Sequence, residues 1–337
     1  MDTANLQLFW AAVIAGAILI YVILDGFDLG VGILFGTTGD ADQREQMMSA
    51  IAPFWDGNET WLIVIGAGLF ATFPAVYAVF MGAFYVPVLV LLFGLIFRGV
   101  AFEFRHRTRS MRWLWDRGFA IGSIVVAFVQ GAALGAMMRG IPVVNGQFAG
   151  GAFDWLHPFP VLTGIGLVLG YALLGAGWLV FKCEGDVRDW AYARIPWLAA
   201  GVIVVLGMAF VTALSIDAGA IAQSNLRERL WGLVFPAFGM LALLGIIAAA
   251  RSRRDGLPFA MTVLFFLAAY LTLGVMFWPY MIPYTVTVAS AAAPDASLRF
   301  LFYGGVVILP MIAFYTLGIY WVFRGKVRQI TKGDGAY

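Results

Sequence analysis

The sequence predicts an all-α integral membrane protein of nine transmembrane helices, arranged as two four-helix bundles plus one extra helix. Three observations carry that prediction. Of 337 residues, 62% are hydrophobic and 12% charged, whereas an ordinary globular domain carries about 25% charged residues. Nine apolar stretches approach the ~20 residues that a helix needs to cross a hydrocarbon core. Basic residues alternate from one side of those stretches to the other.

The first span runs from Leu8 to Phe35, roughly 42 Å at 1.5 Å per residue, so it tilts or projects past the hydrocarbon. The N-terminal segment "MDTANLQLFW" has no basic region and no small-residue cleavage site, and is expected to stay as part of that span. The following spans are Trp61 to Val79, Gly82 to Phe102, Phe119 to Met138, Val161 to Phe181, Pro196 to Leu214, Leu230 to Ala250, Phe259 to Pro279 and Phe300 to Phe323. In this arrangement 17 of the 21 Lys and Arg residues fall on one side, and only Arg139, Arg227, Arg229 and Arg299 on the other. The positive-inside rule then sets the C-terminus in the cytoplasm and the N-terminus outside, which requires an odd number of spans. The organisation that follows is a first bundle over residues 1–138, an extracytoplasmic loop at 139–160, a second bundle over 161–279, and the ninth helix with a cytoplasmic tail at 280–337.

The informative residues are the few charges inside apolar segments. "ILDGFDLGVG", from Ile23 to Gly32, carries Asp25 and Asp28 three residues apart on one helix face. Each charge near a bilayer centre costs about 2.5–3.5 kcal/mol even on insertion scales, so such residues mark ion or proton sites. Arg98 lies near the cytoplasmic end of the third span and Glu103 five residues on, while "PFWDGNETW" brings Asp56 and Glu59 into the second span from the same side. These groups cluster toward one surface, and Gly26, Gly30 and Gly32 allow a neighbouring helix to approach closely. A pair of carboxylates beside an arginine can hold and pass a proton. The competing reading is a buried ion pair of Asp28 with Arg98 that only joins two helices and leaves Asp25 without a cation. Asp56 also reads as an N-cap, with Glu59 completing a capping box.

Other chemistries lack their residues. The net charge of +2 argues against nucleic acid as a partner, and the single Cys183 excludes an internal disulfide and multi-cysteine metal sites. The two histidines, His106 and His157, fall outside the predicted spans, so no metal site or histidine-ligated haem is expected in this chain. No phosphate-binding "GxxxxGK[ST]" loop occurs.

The stretches "LDGFDLGVGILF", "SAIAPFWDGNETWL", "FYVPVLVLLFGLIFRGVAFEFR" and "YWVFRGK" resemble subunit II of the cytochrome bd-type quinol oxidases, including the cyanide-insensitive branch. The resemblance implies a haem-free subunit of a terminal respiratory quinol:oxygen oxidoreductase in the bacterial cell membrane. Its partner would be a haem-bearing subunit I, with haem b and haem d or with b haems alone, and its substrate ubiquinol. Membrane lipid, a structural quinone and a small single-helix accessory subunit are compatible with it. Carried over, it gives Asp56 a place in a proton route from the cytoplasm. Asp25, Asp28, Arg98 and Glu103 feed that route or pair within the packing. Trp61 would line an oxygen passage or interface, or join the interfacial aromatic belt, which is the reading favoured here.

One internal comparison sets "LIYVILDGFDL" over "LGYALLGAGWL" at an offset of 150, aligning Tyr21 with Tyr171 and leaving Gly175 and Trp178 opposite Asp25 and Asp28. Function is then expected to concentrate in the first four spans. A purely structural assembly subunit and a proton-coupled transporter are the alternatives that these residues leave open.

Overall fold

A computed structural model describes residues 2–105, 107–108, 111–216 and 230–328. His106, Arg109, Arg227, Arg229 and Lys332 lie outside the described residues. Among the described residues, eight helices are long and apolar enough to cross a membrane.

Helix α1, Thr3–Phe35, opens with Asp2 as N-cap, its carboxylate accepting from the Asn5 amide. A short helix α2, Ala41–Ile51, is capped by Asp40 through the amides of Asp42 and Gln43. The expected second span is split between α3, Trp55–Thr72, and α4, Pro74–Ala83. The cause is Pro74, which supplies no N–H to α3 and pushes the residue before it out of the helical region. Phe73 accordingly adopts φ −134° and ψ 62°. Eight apolar spanning helices and this broken pair therefore stand where nine spans were expected.

Helices α5, Tyr85–Phe104, and α6, Arg112–Arg139, follow. The connection to α7, Pro158–Lys182, contains a two-strand hairpin, β1 Val143–Val144 with β2 Gln147–Phe148. Asn145 and Gly146 at its tip both have positive φ, the requirement of a tight primed turn. Helix α8, Asp186–Ile216, α9, Val234–Arg251, and α10, Gly256–Phe277, come next. A second hairpin, β3 Tyr280–Ile282 with β4 Val286–Thr287, and the one-turn α11, Val288–Ala291, lead into α12, Asp295–Val322.

The centre of the fold is the contact of α1 with α7. A Cβ added at Gly30 would stand 1.8 Å from the Tyr171 carbonyl oxygen, and one at Gly175 would stand 2.4 Å from the Gly30 carbonyl carbon. The two backbones touch there, and only glycine on both sides permits it. Residues 25–35 of α1 are buried without a break, because α3, α6 and α7 pack around that half of the helix. Helix α12 lies outside, against α1 and α3, with only Leu298 buried along its length.

The chain following α12 folds back on the basic end of the bundle. Val327 pairs with Cys183, and Gln46 Nε2 donates to the carbonyls of both Glu184 and Val327. Lys326 and Tyr192 hydrogen-bond to Asp255 at the start of α10. Burial opposes the Asp255 charge, but these hydrogen bonds outweigh it and hold its carboxyl below the usual range.

The α1–α7 contact gives a direct stability test. Gly30→Ala is expected to lose about 1–3 kcal/mol or more through overpacking, whereas Gly16→Ala, where an added Cβ meets nothing within 4 Å, gains up to about 1 kcal/mol of helix propensity. Thermal unfolding midpoints of the two purified variants check the sign of each change.

Candidate functional site

The buried charges meet where α1, α3 and α5 converge. Asp25 and Asp28 have 0% exposure and Arg98 1%. Arg98 Nη1 donates to Asp25 Oδ1 at 2.8 Å, and the same nitrogen stands 3.6 Å from Glu59 Oε2. Asp28 instead accepts from Asn58 Nδ2 at 2.7 Å. The expected pairing of Asp28 with Arg98 is thus corrected: the arginine takes Asp25, and Asp28 takes a neutral amide. The reason is the entry of α3, whose first turns bring Asn58 against Asp28 and the Leu24 carbonyl.

Asn58 is itself oriented from outside the group. Tyr320 of α12 donates its hydroxyl to Asn58 Oδ1 at 2.9 Å and stacks on Phe54 with ring centroids 4.6 Å apart. An amide with its oxygen satisfied by Tyr320 presents its N–H groups to Asp28, which fixes the direction of both bonds.

Asp56 is exposed in the first turn of α3. The N-cap is Phe54, with no side-chain cap bond, so neither the expected Asp56 cap nor the Glu59 capping box forms. At the positive end of the helix dipole the Asp56 carboxylate is still favoured by about 0.3–1 kcal/mol. Glu59, one turn further in, is partly buried and faces Arg98. Asp56, Glu59, Arg98 and Asp25 therefore form a series from the surface to the bundle interior. Glu103 does not join it: five residues past Arg98 it points about 140° around the helix and is exposed. Trp61, read from sequence as a belt residue, is 6% exposed and packs on Ala17 and Tyr21 inside the bundle. Its position on the face of α3 that meets α1 removes it from the interfacial belt.

Several buried polar atoms of this group have no hydrogen-bond partner among the described residues: Asp25 Oδ2, Asp28 Oδ1, and Arg98 Nε and Nη2. Unsatisfied buried groups of this kind are costly. Arg44, Arg105 and Arg112 also carry unpartnered buried nitrogens, but among the described residues only Asp25 and Asp28 contribute carboxylate oxygens, and a carboxylate oxygen, unlike a guanidinium nitrogen, can take up a proton.

A second ionic group, unread in the sequence, closes the basic end. Arg105, 1% exposed at its side chain, bonds Glu45 and Asp116 at 2.6 Å each, while Arg44 bonds Asp116 at 3.0 Å and Arg112 bonds Glu45 at 2.8 Å. Arg44 and Arg105 both lie over the Phe35 ring. Every cation there has a carboxylate, so this network reads as a clamp of α2 on α5 and α6. His157 is the N-cap residue of α7, away from the Asp25–Arg98 group.

Removing the amide that serves Asp28 has a defined consequence. Asn58→Leu leaves a buried carboxyl without its donor and is expected to lower stability by about 1.5–3 kcal/mol, and Tyr320→Phe by about 1 kcal/mol. Differential scanning fluorimetry of the purified variants measures both, and equal shifts would contradict the proposed order of support.

Comparisons with known proteins agree with this architecture. A family model described as cytochrome bd terminal oxidase subunit II matches residues 6–323. The chain is 31% identical to cytochrome bd-I ubiquinol oxidase subunit 2 of Escherichia coli, across 99% of this chain and 97% of that protein. It is 28% identical to cytochrome bd ubiquinol oxidase subunit 2 of Bacillus subtilis, across 96% and 97%. The bd oxidase of Geobacillus thermodenitrificans shares the fold, with a TM-score of 0.75 at 18% identity over 95% of this chain and 99% of that one. With the motifs, the helical frame and these matches together, the chain belongs to the cytochrome bd terminal oxidase subunit II family.

Proposed function

We propose that this chain is the haem-free subunit of a quinol:oxygen oxidoreductase and that it takes up protons from the cytoplasm for the reduction of oxygen to water in its partner, subunit I. The observation that carries this reading is the series Asp56, Glu59, Arg98, Asp25, which runs from an exposed helix terminus to the bundle interior and ends at a fully buried carboxylate.

The chemistry follows from charge count. Arg98 can neutralise one carboxylate, while Asp25, Asp28 and Glu59 all face the same small volume. A second ionised acid there would be an unpaired buried charge, so the group is suited to carry a proton on one of its acids. Because Arg98 Nη1 lies near both Asp25 and Glu59, a small side-chain movement changes which acid it neutralises and hence which one holds the proton. Asp56 and Glu59, three residues apart on one helix face, deliver protons to that exchange from the surface.

The haems of the complex are assigned to subunit I and supply its electron transfer and oxygen chemistry. Among the described residues His157 stands at a helix end, outside the polar group, which fits that division. The predominance of basic residues at the end that carries Asp56 supports a cytoplasmic entrance. Uptake there, combined with proton release from quinol on the other side, moves charge across the membrane at about 2.3 kcal/mol per charge per 100 mV.

A packing role for the same pair draws some support from the Arg105 clamp, where every cation has a carboxylate and the same residue types hold helices together. Asp56→Asn separates the two readings. The proton route predicts turnover reduced roughly tenfold and slower membrane energisation, with the haem content of the purified complex retained. Full turnover in an intact complex would reject the route, and loss of the complex itself would identify Asp56 as a packing residue.

A further inference from the structure

One helical turn deeper than the carboxylates, three side chains make a directed chain of hydrogen bonds. Tyr171 donates its hydroxyl to Gln130 Oε1 at 2.9 Å, and Gln130 Nε2 donates to the Tyr21 oxygen at 2.7 Å. The two tyrosines are those aligned by the 150-residue offset, and they meet across the α1–α7 contact on a single amide of α6. Turning that amide over would preserve both bonds with reversed direction, so the chain alone does not choose between the two arrangements.

The surroundings choose. In the arrangement present, Tyr21 accepts from Gln130 and keeps its own hydroxyl proton to donate. Tyr21 is 4% exposed, so that proton needs a buried acceptor. Asp25 follows Tyr21 by four residues on the same face of α1 and has a second carboxylate oxygen without a hydrogen-bond partner among the described residues. The reversed arrangement would direct the Tyr21 proton at Gln130, leave Tyr171 with the spare one, and withdraw the donor from Asp25.

We propose that Tyr21 is a positioning residue for Asp25: oriented by Gln130 and Tyr171, its hydroxyl donates to Asp25 Oδ2, so that Arg98 and Tyr21 hold the two oxygens of one carboxylate from opposite sides. The proposed hydrogen bond is argued from the shared helix face, the Gln130 donor on Tyr21 and the unpartnered Asp25 oxygen, and its consequence for turnover rests on the proton-uptake reading. A carboxylate gripped at both oxygens is fixed in orientation toward Arg98, and the exchange with Glu59 starts from one defined geometry.

The test is infrared spectroscopy of the detergent-purified complex of this chain with subunit I, carrying ring-labelled tyrosine. The C–O stretch of Tyr21 is assigned by its loss in Tyr21→Phe, and it is then followed in Asp25→Asn and Gln130→Leu, all with oxygen consumption measured on the same preparations. The proposal expects the Tyr21 band to shift in Asp25→Asn, where a charge-assisted bond becomes a neutral one, and to shift in Gln130→Leu, where the acceptor role is lost. It also expects Tyr21→Phe to keep its haems and to turn over roughly threefold to tenfold more slowly. A Tyr21 band unmoved in Asp25→Asn overturns the proposal whatever the turnover. A shifted band with full turnover in Asp25→Asn and Asp56→Asn would leave the hydrogen bond standing and reject the proton route.

Discussion

The pairing of Arg98 with Asp25 is the interaction around which this half of the molecule is arranged. A guanidinium and a carboxylate with almost no exposure, set among helices that are otherwise apolar, are tolerable only as a bonded pair, since either one alone would carry a desolvation penalty of several kcal/mol. The pair therefore ties α5, through the Arg98 side chain, to α1 at one depth. It also explains the supporting residues: Asn58 and Tyr320 exist to satisfy Asp28, the acid that the single arginine does not take.

Close helix approach is the second condition. The glycine-to-glycine contact of α1 and α7 brings Tyr171 within reach of Gln130 and of the polar face of α1. A larger residue at either glycine would separate the helices and pull that face apart, so packing and polar chemistry depend on the same few small residues. At the basic end, the Arg105 clamp and the returning C-terminal segment fix α2 and the start of α3. That in turn sets where Asp56 meets the surface.

Much of this was legible in the sequence, for physical reasons that also mark the limits. Asp25, Asp28 and Arg98 stand out because charges are so costly in apolar segments, and the glycines beside them signal close packing. Which aspartate takes the arginine was not legible, because both lie near one face of α1 and the choice depends on Asn58 arriving from a different helix. Tyr21 was available as a signal, since Tyr21, Asp25 and Asp28 form an i, i+4, i+7 stripe on one face. Its function depends on Gln130, 109 residues away, which periodicity cannot relate to it. Trp61 was assigned to the interfacial belt from its residue type, whereas the rotation of α3 decides its burial. The division of the second span is carried by Pro74, whose effect on the preceding residue is local and leaves the hydropathy of the Trp61–Val79 stretch unbroken.

The central claim, that Arg98 and Asp25 act together in proton transfer and are more than a packing clip, is tested most directly by a double-mutant cycle on turnover. Asp25→Asn, Arg98→Gln and the double variant would be purified with subunit I and compared at equal haem content. The account predicts that each single change removes most of the oxygen consumption and that the double variant is no slower than the worse of the two, because both changes interrupt one step. Oxygen consumption at the unmodified rate in all three, with haem retained, would contradict it.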